Sequence, residues 1–187
     1  MPETQSEAAT LVPLSAVPPE MIEQLLDRVF GEERHARTAY RIRAGMEWLD
    51  ALSFAALDED DMLVGTIQCY PVGLQSKDGA RVPLVMVGPV AVVPERQGEG
   101  FGVGLMMAML DAEARMAGEG SPVFPQVLIG DEEYYGRWGF TLGSTGGWQC
   151  PGPYEKERLL ARGAALSQMP KDGMLGPWNG LDSNTAA

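Results

Sequence analysis

The chain is poor in histidine and cysteine, and this scarcity excludes several kinds of chemistry. Its 187 residues include one histidine, His35, and two cysteines, Cys69 and Cys150, which lie far apart and outside any CxxC motif. Two cysteines are too few for a disulfide scaffold or a cysteine-rich zinc site, and one histidine excludes the HExxH zinc motif. We therefore expect no metal centre. His35 lies among charged residues, which favours a solvated helix face over a catalytic role.

Basic residues are also scarce. Lysine and arginine number 14 against 26 aspartates and glutamates, which gives a formal net charge of −12 at pH 7. Binding to nucleic acid or to an anionic membrane requires a basic surface, so we expect neither as a partner. An acidic protein instead attracts cationic or amine-bearing molecules.

Long apolar runs are absent as well. The longest, 84–93 and 101–110, are too short to cross a bilayer, and residues 1–10 lack the basic and apolar regions of a signal peptide. We therefore expect a cytoplasmic location. The length and a hydrophobic fraction of 45% predict one globular domain over 1–187. Its predicted parts are a core at about 10–150, a C-terminal extension at 151–178 and a disordered tail at 179–187.

The order of hydrophobic patterns predicts a mixed α/β (α+β) fold with a mixed sheet. Strands are predicted at 10–14, 53–57, 63–70, 82–93, 123–129 and 140–144. Helices are predicted at 19–30, 33–47, 102–117 and 132–138. The acidic run at 58–61 predicts a turn that joins two of the strands in a hairpin. Gly88-Pro89 predicts a bulge or a splay inside a central strand, and the segment 155–166 fits either a helix or a strand with a turn.

A glycine-rich loop joins the predicted strand 82–93 to the predicted helix 102–117. Its pattern is Gln97-x-x-Gly100-x-Gly102. Such a loop directs backbone N–H groups toward one point at the positive end of the helix dipole, which suits a phosphate or pyrophosphate. The dinucleotide fingerprint and the P-loop do not fit the spacing. The remaining alternative is a glycine-rich turn that serves only the start of the helix.

A second motif, Tyr-x-x-x-Gly-Phe, begins at Tyr135 and follows the predicted strand 123–129. The two motifs, in this order, resemble those of the GCN5-related N-acetyltransferase (GNAT) family. The doubled Tyr134-Tyr135 and the early segment Thr38-Ala39-Tyr40-Arg41 are most similar to a bacterial subgroup of small acetyltransferases. The resemblance covers about residues 11–147.

This resemblance implies a GNAT fold and acetyl-CoA as co-substrate. The implied fold is a twisted mixed sheet of six or seven strands, flanked by helices, in which the two central strands splay apart. The loop amides would hold the pyrophosphate, and the pantetheine would pair with the strand before the loop. The coenzyme-binding residues implied are Val90, Ala91, Val92, Arg96, Gln97, Gly98, Glu99, Gly100, Phe101, Gly102, Val103, Gly104 and Tyr135.

The implied reaction is direct attack by a primary amine, of a small molecule or a peptide, on the acetyl thioester. Tyr135 would act as the general acid for the leaving thiolate, although aromatic packing is its alternative role. The backbone N–H of Val92 would stabilise the oxyanion. The general base stays open, because 84–93 contains no carboxylate: it is either a water relay or a carboxylate from elsewhere. Asp131 is one candidate, but its position also fits a helix N-cap.

Several features of the sequence leave alternatives for the role of the loop and for the function of the protein. Glu99 stands where the family often has a basic residue, with Glu95 nearby, and Arg96 fits either a phosphate contact or a surface cation. The fold could therefore serve a non-catalytic acyl-CoA sensor or a partner-binding domain with a degenerate loop. The early helices, which usually wall the acceptor site in the family, have mixed charge. The overall acidity favours polyamines, other amino compounds or basic peptides, and dimers are frequent in the family.

Overall fold

A computed structural model describes residues 9–178. The predicted tail at 179–187 lies outside the described residues. The chain divides into two compact units, and the strands β3 (Leu63–Gln75) and β4 (Arg81–Val92) contribute to both. The first unit comprises the chain up to Glu32, Asp50–Gln68 and Pro89–Ser121. The second unit comprises Glu33–Leu49, Cys69–Gly88 and the chain from Pro122 onward.

The predicted mixed α/β fold is confirmed, with eight strands in residues 9–178 rather than six or seven. The other strands are β1 (Thr10–Pro13), β2 (Phe54–Leu57), β5 (Gln126–Ile129), β6 (Gly147–Gln149), β7 (Leu159–Arg162) and β8 (Asp172–Pro177). The α-helices are α1 (Pro19–Phe30), α2 (Thr38–Ile42), α3 (Phe101–Gly118) and α4 (Glu132–Tyr135). The hydrogen-bonded order is β1-β2-β3-β4-β5-β7, and β8 pairs with both β3 and β6.

The first unit contains the predicted hairpin. β2 pairs antiparallel with β1 and β3, and Asp58 Oδ1 accepts hydrogen bonds from the N–H groups of Asp60 and Met62 in the turn. α1 begins at Pro19, a favoured first helical residue, and stops at Gly31, whose φ is +88°. α3 packs against β1 and β2. It buries one apolar face that consists of Phe101, Leu105, Met106, Met109 and Ala112.

The second unit carries the parallel pairing of β4 with β5. The register joins Val85 to Gln126 and Met86 to Val127, and within the described chain the two strands pair no further. The central strands therefore separate, as the resemblance implied. Gly88, with a φ of +129°, marks the predicted irregularity in β4. The strands of this unit contribute to a buried apolar cluster that includes Met86, Val127 and Trp148.

The residues at 151–178 contribute two strands of the sheet. β7 pairs antiparallel with β5, and β8 pairs with β3 and β6. The ambiguous segment 155–166 is thus a strand preceded by a 3₁₀ turn. In the part of the chain that the structure describes, no helix is long and apolar enough to cross a membrane.

Three predicted elements are wrong or too long. The helix predicted at 33–47 is a 3₁₀ turn followed by the short α2, because Thr38 bonds to the carbonyl of Pro153 and Gly45 takes a φ of +75°. The strand predicted at 140–144 is reduced to a single bridge between Thr141 and Ala161. β5 begins only after Pro125, since a proline has no N–H for a strand ladder.

Candidate active site

The loop between β4 and α3 has the backbone conformation that its glycines permit. Gly98 has a φ of +84° and Gly100 a φ of +93°, a region that residues with a side chain rarely adopt. A Cβ on either glycine would meet no heavy atom of the described chain within 4 Å. Open space therefore lies on the side of the loop toward which these Cβ atoms would point.

The N-terminus of α3 offers free hydrogen-bond donors beside these glycines. The first bond of the helix runs from the N–H of Gly104 to the carbonyl of Gly100, at 2.9 Å. The N–H groups of Phe101, Gly102 and Val103 precede it and have no partner within the helix. These N–H groups, at the positive end of the dipole of an 18-residue helix, are suited to an anionic ligand.

Gln97 connects this loop to the end of β4. Its Nε2 donates a hydrogen bond to the carbonyl oxygen of Val92, at 3.1 Å. Val90 and Val92 are half-buried, whereas Ala91 between them is 1% exposed. Gly65 permits the close approach of β3 here, because a Cβ on it would lie 2.9 Å from the carbonyl oxygen of Ala91. Sequence reasoning missed Gly65, although a lone glycine inside a strand pattern is the signal for such an approach.

Arg96 is held by carboxylates. Its guanidinium donates to Glu99 at 2.6 Å, to Glu59 at 3.1 Å and to Asp58 at 3.2 Å, and its carbon lies 5.1 Å from the centroid of the Phe101 ring. The hydrogen bonds from Arg96 to Glu99 and Glu59 raise the pKa of the guanidinium. Arg96 therefore ties the loop to the turn between β2 and β3.

The two acidic residues of the loop have cationic partners. Glu99 pairs with Arg96, and Glu95 accepts a hydrogen bond from Arg28 of α1 at 2.6 Å. Both carboxylates remain about half exposed. Their charges are thus partly neutralised rather than directed at the N-terminus of α3.

The second motif lies in the second unit, around α4. Asp131 occupies the predicted N-cap position, and its carbonyl accepts the N–H groups of Tyr134 and Tyr135. Its side chain does not cap the helix. Instead, Asp131 Oδ1 accepts a hydrogen bond from Nε of Arg158 at 3.1 Å, because β7 brings this arginine beside it.

Tyr135 is half-buried in an aromatic cluster. Its ring centroid lies 4.9 Å from that of Tyr134, 6.1 Å from that of Trp138 and 6.2 Å from that of Phe140. Burial raises the pKa of Tyr135 to about 12, with smaller raising effects from Tyr134 and Asp131. The phenol therefore stays protonated at neutral pH and can donate a proton or a hydrogen bond.

The remaining candidate groups are the two cysteines and His35. Cys69 and Cys150 are buried, and burial raises the pKa of the Cys150 thiol to about 12, which makes it a poor nucleophile. His35 is exposed and contacts the ring of Tyr40 edge-on. Residues 9–178 contain no group of three or more His, Cys, Asp or Glu side chains that could hold a metal ion.

Comparison with known proteins identifies the family. A family model described as an acetyltransferase (GNAT) domain matches residues 19–143, more than half of the chain. The GNAT N-acetyltransferase YhbS of Escherichia coli, solved in complex with CoA, is 21% identical over 91% of this chain and 89% of its own, with a TM-score of 0.64. A GNAT acetyltransferase of Brucella melitensis, solved in complex with acetyl-CoA, is 27% identical over 85% of this chain and 98% of its own, with a TM-score of 0.50. A search of curated proteins found no match. With the family model spanning both motifs, the chain belongs to the GNAT family of acetyltransferases.

Proposed function

We propose that the protein transfers the acetyl group of acetyl-CoA to a primary amine of a small molecule or a peptide. The observation that carries this proposal is the loop at the N-terminus of α3, where left-handed Gly98 and Gly100 border open space. The Brucella melitensis relative, which is solved with acetyl-CoA, supports the choice of this co-substrate. The pyrophosphate would accept hydrogen bonds from the N–H groups of Gly98–Val103.

The strand before the loop would hold the pantetheine and the thioester. An extended ligand can pair with the backbone of Val90, Ala91 and Val92 as an added strand. The N–H of Val92 would then stabilise the oxyanion that forms when the amine attacks the carbonyl carbon. A C–N bond forms and the C–S bond breaks, so the amine loses a proton and the departing sulfur requires one.

Tyr135 is the proposed donor to the departing sulfur. Its pKa of about 12 keeps the phenol protonated through the neutral range, and a thiol has an ordinary pKa of about 8.5. Because the phenol is a weaker acid than a thiol, complete transfer to a free thiolate is uphill. Tyr135 would therefore hydrogen-bond to the sulfur as its charge develops and would give up its proton only as solvent reprotonates the phenol.

The first test is thermal stability with acetyl-CoA, with free CoA and with NAD. A ligand at about 100 times its Kd stabilises the folded state by about 2.7 kcal/mol. We expect acetyl-CoA and CoA to raise the Tm and NAD to leave it unchanged. Thiol release during incubation with a panel of primary amines then measures transfer. A folded protein that none of these compounds stabilises would contradict the proposal and favour the partner-binding alternative.

The second test separates an enzyme from a sensor that binds acyl-CoA without turnover. The sensor alternative is favoured by the lack of a carboxylate at 84–93 and by the pairing of Asp131 with Arg158. An enzyme should lose turnover in Tyr135→Phe while keeping its Kd for acetyl-CoA, and the neighbouring Tyr134→Phe should retain turnover. Stabilisation by acetyl-CoA without thiol release from any amine would support the sensor.

A further inference from the structure

A buried guanidinium without a counter-charge lies in the second unit. Arg43, the residue after α2, is 8% exposed. Its guanidinium carbon lies 4.1 Å from the centroid of the Tyr40 ring and 3.9 Å from that of the Tyr70 ring. Within the described chain it has no carboxylate or hydrogen-bond acceptor as a partner. Such isolation is unusual, because buried charges are normally paired.

The two tyrosine rings attract the cation but do not replace an acceptor. A guanidinium carries five N–H donors in a fixed fork, and an aromatic face satisfies a donor only weakly. The Arg43 nitrogens are not among the fully enclosed polar atoms that lack a partner. The guanidinium therefore keeps some solvent exposure, and no acceptor of the described chain occupies its donors.

The local charge also favours an anion. Four of the 14 basic residues lie in the segment 34–43, where the sequence has no acidic residue. A second arginine of this segment, Arg34, is 2% exposed and donates a hydrogen bond to the hydroxyl of Tyr40. Its guanidinium carbon is 5.6 Å from the centroid of the ring that Arg43 also covers. The ring of Tyr40 thus lies beside two guanidinium groups, of which Arg43 is the one stacked between two tyrosines.

We propose that Arg43 binds a carboxylate of the acceptor, so that the substrate is an amino carboxylate rather than a polyamine. This inference rests on the proposed transferase function. A carboxylate matches the fork of a guanidinium with two parallel hydrogen bonds. The net charge of the chain favours polyamines, but exposed charges act through screened fields, whereas a buried guanidinium acts by direct contact.

The test compares amines that differ only in a carboxylate. The pairs are L-lysine with cadaverine, L-tyrosine with tyramine, and 4-aminobutyrate with propylamine, and the readouts are thiol release with acetyl-CoA and thermal stabilisation in the presence of CoA. We expect the carboxylated member of at least one pair to be favoured in kcat/KM by about tenfold to hundredfold, the effect of a charge-assisted hydrogen bond. Equal or better use of the decarboxylated members would overturn the inference.

Substitutions of Arg43 test whether this residue binds the carboxylate of the acceptor. Arg43→Gln should raise the KM for the carboxylated amine by a similar factor, with little change in kcat and an unchanged Kd for acetyl-CoA. Arg43→Lys keeps the charge without the fork and should be intermediate. The matched control is Arg41→Gln, since this exposed arginine of the same segment has only a long hydrogen bond to the carbonyl of Pro151.

The outcomes separate this inference from the proposed function. Weaker binding of acetyl-CoA in Arg43→Gln would assign the arginine to a coenzyme phosphate and overturn the acceptor site. If acetyl-CoA does not stabilise the protein, the transferase function is contradicted. The anion site would still be supported if a carboxylated amine stabilises the unmodified protein and fails to stabilise Arg43→Gln. If Arg43→Gln does not fold, the comparison of matched pairs on the unmodified protein decides the question.

Discussion

The ring of Tyr135 occupies the space that a side chain on Gly130 would need. A Cβ on Gly130 would lie 2.4 Å from Cε2 and 2.7 Å from Cδ2 of Tyr135. Gly130 directly follows β5, and its N–H donates a hydrogen bond to the carbonyl of Arg158, which fixes its backbone. The end of β5 is thus a support against which the proposed general acid rests.

Gly130→Ala is expected to move the Tyr135 ring and to slow turnover. The ring packs on Tyr134, Trp138 and Phe140, so it cannot simply swing away from a new methyl group. Because a displacement of about 1 Å at a reacting group costs on the order of 100-fold in rate, we expect kcat to fall by about tenfold to hundredfold. Steady-state thiol release measures this change, and the Kd for acetyl-CoA should stay the same.

Gly136→Ala is the matched control. A Cβ on Gly136 would lie 3.8 Å from Cγ of Glu132, an ordinary contact, and its φ is −59°. This variant changes a neighbour of Tyr135 without pressing on the ring, so it should keep most of the turnover. Wild-type kcat in Gly130→Ala would show that the position of Tyr135 does not matter for the reaction.

Gly100→Ala is expected to strain the loop without a steric clash. Gly100 precedes α3 with φ +93° and ψ 0°, and nothing lies within 4 Å of a Cβ there. The left-handed conformation costs a residue with a side chain about 1–2 kcal/mol. The variant should lose about that much free energy of unfolding, as measured by denaturant titration, and should bind acetyl-CoA more weakly as the N–H groups shift.

The control for this change lies at the other end of the same helix. Gly118 ends α3 in open space and without a left-handed φ. Gly118→Ala should be neutral or stabilising by up to about 1 kcal/mol. Equal stability of the two variants would mean that the conformation of Gly100 is not a constraint on the loop.

Arg96→Gln is expected to weaken acetyl-CoA binding. The substitution releases Asp58, Glu59 and Glu99 from their shared cation, and it leaves their charges near a site for an anion. Because these groups are partly exposed and screened by salt, we expect the Kd to rise about threefold to tenfold at low ionic strength. Isothermal titration at two salt concentrations measures the effect, which should shrink as salt increases.

Removing a negative charge from the loop should instead strengthen acetyl-CoA binding. Glu99→Gln removes one of the three carboxylates and leaves Arg96 on Asp58 and Glu59. The Kd for acetyl-CoA should then fall by a small factor, about twofold to threefold at low salt. If both variants weaken binding equally, the intact ion-pair cluster positions the loop and its net charge is unimportant.

The local elements of the site were predictable from sequence. The strand into Gly98 and Gly100, the helix that follows and the motif at Tyr135 are coded by glycine positions and apolar spacing within short windows. The same signals give the hairpin around 58–61 and the start of α1 at Pro19.

The parts that failed depend on residues far apart in the sequence. The 33–47 segment has helical spacing, but the contact of Thr38 with Pro153 and the stacking of Arg43 on Tyr70 decide its conformation. Asp131 has a good capping side chain, but Arg158, 27 residues later, takes its carboxylate. Such pairings have no local signal, so the uncompensated Arg43 could be found only in the structure.

The raised pKa values of Tyr135 and Cys150 predict a loss of stability in alkali. Each pKa is about 12 in the folded protein, against ordinary values of 10 and 9. The unfolded chain therefore releases these protons at lower pH than the folded chain, and ionisation favours unfolding. The contribution of these two protonated groups to the free energy of unfolding is fully present below about pH 9 and is lost as the pH rises toward 12.

The Tm of the protein should accordingly fall as the pH rises from 9 to 12. Tyr135→Phe should remove the portion of this fall in Tm that begins near pH 10, because phenylalanine has no proton to release. Tyr134→Phe keeps the buried phenol and should retain the slope of the unmodified protein. In the same range, Tyr135 should cause no loss of kcat below about pH 10, because the phenol still carries its proton there. A descending limb of kcat near pH 8 in the unmodified protein, together with a fall of its Tm in the same range that Tyr135→Phe removes, would mean that Tyr135 titrates close to neutrality and that burial does not control its pKa.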